Sequence, residues 1–187
     1  MTAIAGLVEN GRVYIGGDSA GTNAGMGQQV RSDRKVFRKG PFVIGGAGSF
    51  RVNNLLRFRF VAPEAYDWED LNNPEHAHAF MSTRFVEAVR SCLTEYGAQM
   101  TYHGESQVSA AFLVGFRGAL YKVDGDYQVG LSHDPFDAAG SGYMVALGSL
   151  HSTVGTGMAP ERRVEMALEA ASRYNAAVRP PFVIESL

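Results

Sequence analysis

The sequence predicts an α+β fold, a four-layer α-β-β-α sandwich of two stacked, mainly antiparallel sheets. Three observations predict it. Hydrophobic periodicity runs strands, two helices, strands, two helices, strand. The dipeptides Asn10-Gly11, Lys39-Gly40, Arg117-Gly118 and Asp124-Gly125 join successive strands too tightly for the crossovers of a parallel sheet. The 22 glycines in 187 residues exceed the usual share of about 7% without any period, which excludes collagen-like repeats and marks turns or close backbone approaches.

The elements follow in order. Ala3 to Val8 and Val13 to Gly17 flank Asn10-Gly11, a strong type I′ hairpin signal. That turn sets Glu9 opposite Arg12, and hence Ala3 opposite Asp18 and Thr2 opposite Ser19. A second hairpin, Val30 to Arg38 and Pro41 to Gly46 around Lys39-Gly40, places Lys35 opposite Ile44, beside Gly45. Ser49 caps a helix bearing Val52, Leu55, Leu56 and Phe60, which Pro63 stops. Asp67 to Pro74 reads as an acidic loop. A longer helix carries Met81, Phe85, Ala88, Val89, Cys92 and Tyr96 on one stripe and ends at Gly97. Strands are expected at Val108 to Phe116, Ala119 to Val123 and Tyr127 to Leu131. Helices follow at Tyr143 to Leu150 and Pro160 to Ala177, then a strand at Phe182 to Glu185. No repeat or linker divides the chain, so residues 1–187 are read as a single domain.

Composition narrows the function. Lys plus Arg number 17 against 19 Asp plus Glu, a net charge of −2 that points to neither nucleic acid nor an anionic membrane. With 45% hydrophobic residues the chain is globular rather than disordered. Cys92 has no partner for an intrachain disulfide, which fits a reducing compartment, and on its apolar stripe it reads as a core residue. The longest apolar runs, such as Ala110 to Phe116, are far short of the roughly 18 residues of a spanning helix. The first ten residues lack the basic start of a signal peptide. A cytoplasmic, soluble protein is expected.

The chemistry gathers at the hairpin ends. Met before Thr is ordinarily removed, which would put a hydroxyl and an α-amine together on Thr2. The hydroxyl is a weak nucleophile without an adjacent base, and an α-amine of reference pKa about 7.7–8.0 serves near neutrality. Asp18 lies at the same end of its hairpin. Lys35, if buried and paired with Asp18, would hold a positive charge near Thr2. Glycine N–H groups at the Gly45-Gly46 strand-to-helix junction could receive an oxyanion. On spacing alone, Thr2 could equally be a frayed end, Asp18 and Lys35 an ordinary ion pair, and the glycines packing devices.

The chain resembles the proteasome-type N-terminal nucleophile (Ntn) hydrolases, most closely the bacterial ATP-dependent protease subunits of the HslV type. The resemblance is carried by Thr2-Ala3-Ile4-Ala5, Gly16-Gly17-Asp18-Ser19, Lys35-Val36, Ile44-Gly45-Gly46-Ala47-Gly48, Ala139-Gly140-Ser141-Gly142 and the ending from Ala167-Leu168 to Ile184-Glu185-Ser186-Leu187. It spans nearly the whole chain in order. It implies a threonine peptidase in which Thr2 is the nucleophile and its amine the general base. Lys35 would tune proton transfer and Asp18 would hold Lys35. The Gly45 N–H, or that of Gly46, would bind the oxyanion, and Ser141 would contact the terminal amine or a catalytic water. Without the resemblance Ser141 reads equally as a helix N-cap. Also implied are no metal or organic cofactor, a peptide or unfolded-protein substrate, homo-oligomeric stacked rings and an ATP-dependent unfoldase partner.

The chain departs from the HslV pattern in two places. The Asp18 to Lys35 segment is one residue longer, which makes Arg34 the ungapped competitor of Lys35. Val61 to Ala79 does not match the helix expected there. Two other readings compete. Gly17-Asp18-Ser19-Ala20-Gly21 fits a G-x-S-x-G elbow and resembles the Gly-Asp-Ser-Gly-Gly run of trypsin-like proteases, but residues 22–27 do not start the helix an elbow needs, and a trypsin-like Ser must follow its His, whereas the first histidine here is His76. The other is a catalytically inactive ring subunit of the same fold. His76 and His78 lack a ligand pattern and read as surface residues.

Overall fold

The computed structural model describes residues 2–22, 27–66 and 70–187. Strands β1 (Ile4–Glu9) and β2 (Arg12–Gly17) meet at Asn10-Gly11, both with positive φ (51° and 73°) as a type I′ turn requires. Glu9 opposes Arg12 and Ile4 opposes Gly17, which is the predicted register. Chain order then gives β3 (Ala20–Thr22), β4 (Gln28–Val30), β5 (Val36–Lys39) and β6 (Phe42–Gly48). Helix α1 (Phe50–Phe58) leads to α2 (Pro74–Phe80), which continues through a π turn (Met81–Phe85) into α3 (Val86–Glu95). Strands β7 (Met100–Tyr102), β8 (Glu105–Gln107), β9 (Ala110–Phe116), β10 (Ala119–Val123), β11 (Val129–Leu131) and β12 (Phe136–Ala139) follow. Helices α4 (Tyr143–Ser152) and α5 (Pro160–Tyr174) and strand β13 (Val183–Ser186) complete the order.

One main sheet runs β12-β1-β2-β13 and the other β11-β10-β9-β6-β5, with every neighbouring pair antiparallel. Their facing sides share a core of Ile4, Val13, Ile15, Val43, Leu113 and Leu120. The outer face of the five-stranded sheet buries Phe42, Ile44, Phe112 and Phe116 against Leu56, Met81, Phe85 and Val89 of the α1–α3 layer. The outer face of the four-stranded sheet buries Ala5, Leu7 and Tyr14 against Leu150, Val164 and Leu168 of α4 and α5. Alternate residues of one strand therefore serve different cores, as the period of two demands. The predicted four-layer sandwich is the fold observed.

Several details differ from the sequence reading. In the second hairpin Lys39 pairs with Phe42, so the turn is Gly40-Pro41 rather than Lys39-Gly40. Gly40 at φ 55° followed by the locked negative φ of Pro41 is the type II′ combination. The register moves by two residues, putting Val36 opposite Gly45, and an even shift leaves each side chain on its predicted face. Gly21 lies in β3, which pairs antiparallel with β4; residues 23–26, and 67–69 of the expected acidic loop, lie outside the described residues. Ser49 does cap α1, accepting the Val52 N–H at 3.5 Å, but the helix ends at Phe58, well short of Pro63. The long helix begins earlier, at Pro74 behind an Asn73 cap, and its π turn lets Phe80, Met81, Phe85 and Val86 all face the core. α5 stops at Tyr174 because Asn175 is extended (φ −126°, ψ 112°), so the buried Val178 packs from a loop.

Candidate active site

The first hairpin returns the chain from β2 to the side of Thr2, and backbone bonds continue past the strand ends: the Asp18 N–H donates to Ala3 O at 3.2 Å. The Asp18 carboxylate is held by three backbone N–H groups. Ala3 donates to Oδ1 at 3.1 Å, and Ala20 and Arg179 donate to Oδ2 at 2.9 and 3.2 Å. Lys35, immediately before β5 on the opposite sheet, reaches across the sandwich. Its Nζ donates to Asp18 Oδ1 at 2.7 Å and to Thr2 Oγ1 at 2.9 Å. The Lys35 and Asp18 side chains are only 2% and 0% exposed, so this ion pair is shielded from solvent. Burial pushes the Lys35 pKa below the ordinary lysine value, and the Asp18 carboxylate opposes that shift. The ammonium also lies 5.7 Å from the Phe50 ring centroid.

The other side of Thr2 is bounded by the β12–α4 turn. The Thr2 N–H donates to Ser141 Oγ at 3.2 Å, while Gly142 N–H and Ser141 Oγ donate to Thr2 O at 3.1 and 3.4 Å. With Met1 attached this nitrogen is a peptide N–H, and it occupies the place of the α-amine that processing would expose. Ser141 is not the cap of α4: the cap position is Gly142 and no side chain bonds there. Gly140 is required at φ 87°, where a Cβ would sit 2.4 Å from Thr2 O. Asn175, which sequence reasoning missed, donates from Nδ2 to Ser141 Oγ at 3.1 Å. Its only sequence signal is an Asn at a helix end, a common terminator with no chemistry implied.

Thr2, Asp18, Lys35 and Ser141 thus form one hydrogen-bonded cluster. Arg34, the competitor of Lys35, is surface-exposed and pairs with Glu185 at 3.1 Å. The buried Ser19 hydroxyl donates to Pro181 O at 2.6 Å, and strand β3 rather than a helix follows it, so the nucleophile elbow is absent. Gly45 and Gly46 lie within β6, where the Gly46 N–H donates to Lys35 O at 2.9 Å. Strand alternation turns the Gly45 N–H the other way, toward its β9 partner Leu113. The part of β6 that reaches the Thr2 cleft is Ala47-Gly48, which with Ser109, Gly140 and Ser141 lines a shallow pocket of about 220 Å³. A second cavity of about 290 Å³ is lined by Gly21, Thr22, Gly27, Gln29, Arg31 and Phe50.

The sandwich and its helical layers are the fold of the proteasome-type Ntn hydrolases. Solved structures that superpose on the chain include three of that type, each covering at least 99% of it. BPH of Thiobacillus denitrificans, in complex with epoxomicin, superposes with a TM-score of 0.78 at 17% identity, covering 100% of this chain and 98% of the other. HslV of Trypanosoma brucei gives 0.70 at 20% identity, covering 100% and 99%. Anbu, the ancestral β-subunit of Yersinia bercovieri, gives 0.63 at 15% identity, covering 99% and 81%. No protein-family model and no curated protein matches the sequence. Among the described residues no helix is long and apolar enough to cross a membrane.

Proposed function

We propose that the protein is a threonine endopeptidase that attacks peptide carbonyls with Thr2 Oγ1 after removal of Met1. The observation that carries this reading is the buried Lys35 ammonium, 2.9 Å from Thr2 Oγ1 and fixed by Asp18. A hydroxyl accepting from an ammonium in a dry site loses its proton at lower cost, because the developing alkoxide is met by a positive charge of low mobility. The Thr2 amine takes that proton. The oxygen adds to the carbonyl, the peptide amine leaves with the proton, and the acyl ester on Thr2 is hydrolysed by water. Lys35 stays charged throughout and acts electrostatically. For the oxyanion, the N–H groups of Gly45 and Gly46 are directed into strand ladders, so we assign the donor to Gly48, the exposed residue of β6 in the cleft.

The site needs no metal or organic cofactor for this chemistry. The substrate is a peptide or unfolded chain, since the cleft beside Thr2 is open and lined by small residues. Assembly into homo-oligomeric stacked rings fed by an ATP-dependent unfoldase belongs to the same proposal. The exposed Met144, Val154 and Tyr174 on the α4–α5 side support an association surface. Intact-mass analysis tests the reading: the chain is expected without Met1, to gain one epoxyketone adduct, and to lose that adduct in Thr2→Ala. A chain lacking Met1 that forms no adduct and cleaves no peptide would overturn it, in favour of an inactive ring subunit.

A further inference from the structure

We infer that Asn53 is a positioning residue that fixes the free edge of β6 and so aims the Gly48 N–H at the Thr2 cleft. The role rests on the proposed acyl transfer at Thr2 and adds to it a side chain that touches neither substrate nor nucleophile. An unpaired atom points to it. Among the described residues, Asn53 Oδ1 is the one buried side-chain nitrogen or oxygen without a hydrogen-bond partner. Asn53 sits on α1 and is only 5% exposed. Its Nδ2 donates to Gly46 O at 3.0 Å. Turning the amide over would set Oδ1 against that carbonyl, acceptor to acceptor, so Gly46 alone decides the orientation. Oδ1 then lies 1.8 Å from where a Gly46 Cβ would stand, a place that glycine fills with a Cα hydrogen. Asn53 therefore holds Gly46 at two neighbouring points, and only glycine admits it so closely.

What that grip does follows from the strand. Along one edge β6 stays paired with β9 to its end, through Gly46–Phe112, Ala47–Ala111 and Gly48–Ala110. Along the other its pairing with β5 stops at Gly45–Val36, and the last backbone bond runs from Gly46 N–H to Lys35 O at 2.9 Å. A residue of an antiparallel strand turns its N–H and C=O to the same edge, and residues two apart share an edge. Gly46 O and the Gly48 N–H therefore both face the edge that β5 has left, where Lys35 reaches Thr2. Three of the four residues from Gly45 to Gly48 are glycine, so little besides the Ala47 methyl resists rotation of these peptide planes. The Asn53 amide supplies that resistance from α1. With Gly46 O fixed, the strand cannot roll about its β9 edge and swing the Gly48 N–H out of line with a carbonyl oxygen at Thr2. Gly48 itself is held at φ 110°, where a Cβ would lie 2.4 Å from Ser109 O, so the donor is pinned on both sides.

The test is steady-state kinetics with a short peptide substrate on the processed, assembled protein, together with the affinity of a peptide aldehyde that forms a tetrahedral adduct on Thr2. Asn53→Ala removes the donor to Gly46 O and leaves Thr2, Lys35 and Asp18 in place. It should lower kcat by about tenfold with KM changed by less than about twofold, a fraction of the roughly 100- to 1,000-fold that loss of a whole oxyanion donor costs. Aldehyde affinity should weaken by the same factor as kcat/KM, since both report the tetrahedral state. Asn53→Ser leaves a smaller gap, should show the same split, and stands in if Asn53→Ala does not fold. The acid limb of the pH profile should stay where it is, because no charge near Thr2 changes. Leu56→Ala loosens the same helix without removing a bond to β6 and should keep the wild-type kcat. Wild-type kcat in a folded Asn53 variant, or a change confined to KM, overturns the inference and leaves Asn53 a packing residue. So does an equal loss of kcat in Leu56→Ala, or a shifted acid limb. Absence of any adduct on the wild-type chain instead overturns the assignment of Thr2, so the two failures are distinct.

Discussion

Removing either member of the buried Lys35–Asp18 pair should destabilise the protein, and unequally. Replacing Lys35 by Met keeps the length of the side chain but leaves Asp18 without its ammonium. Stripping one partner from a buried pair costs about 3–5 kcal/mol. Asp18 retains three backbone N–H donors in this variant, which places the loss at the lower end, about 3 kcal/mol. For a chain of this size that corresponds to a fall in Tm of about 6–12 °C. Replacing Asp18 by Ala is expected to cost at least about 2 kcal/mol more, because the Ala3 and Ala20 N–H groups are buried and lose their acceptor at about 1 kcal/mol or more each. The pH dependence separates the two variants. Without Asp18 the folded Lys35 pKa falls further, so between that value and the ordinary lysine value the unfolded chain binds more protons. The stability of Asp18→Ala therefore rises with pH through that window, whereas that of Lys35→Met has no such component. Urea denaturation followed by far-UV circular dichroism at several pH values measures both. An Asp18→Ala variant no less stable than Lys35→Met would refute the idea that the carboxylate organises the backbone around the site as well as pairing with lysine.

Two further predictions concern the same region. Because burial holds the Lys35 pKa below its ordinary value and the proposed mechanism needs the ammonium, kcat/KM should fall on the alkaline side before pH reaches the usual lysine range of about 10.4. A profile flat through that range in a protein still folded by circular dichroism would contradict the electrostatic role of Lys35. Gly46→Ala should destabilise by about 1–3 kcal/mol, since its Cβ would lie 1.8 Å from Asn53 Oδ1 in a packed layer. Adding Asn53→Ala should recover most of that loss in a thermal melt, with no recovery if the strain lies in the β6 backbone instead.

How much of this was legible in the sequence depends on whether the governing interaction is local. Asn10-Gly11 dictates its own turn, so the register that returns Asp18 to Thr2 could be read directly. Gly40-Pro41 could not be told from Lys39-Gly40 by pattern alone, yet the two registers differ by an even step and place Lys35 on the same face. The lysine therefore survived an error in the turn. β12 was missed because its residues, Phe-Asp-Ala-Ala, have weak strand propensity and owe their form to pairing with β1, far away in sequence. The β7–β8 hairpin escaped for a related reason, being two three-residue strands, exposed in β7 and at most half-buried in β8, with no buried face to impose a period. Asn175 was invisible because its meaning depends on Ser141, a contact across 34 residues, and on which way an amide is turned.

The same distinction accounts for how the site is built. Thr2 and Asp18 flank β1 and β2 of the four-stranded sheet and Lys35 immediately precedes β5 of the five-stranded one, so the ion pair is also a tie between the two sheets. The sheets approach closely enough for a lysine to span them because small residues line that end of the interface. A Cβ on Gly17 would meet Ile4 and Val36 at 2.8 and 2.9 Å, and one on Gly45 would meet Ile15 and Ile4 at 2.7 Å. The glycine excess in the composition is thus partly a requirement of the site's geometry: a wider gap between the sheets would draw the Lys35 ammonium away from Thr2 Oγ1. Under the proposed function, sheet packing and activation of Thr2 are coupled, and a substitution that thickens the interface should impair activity before it unfolds the chain.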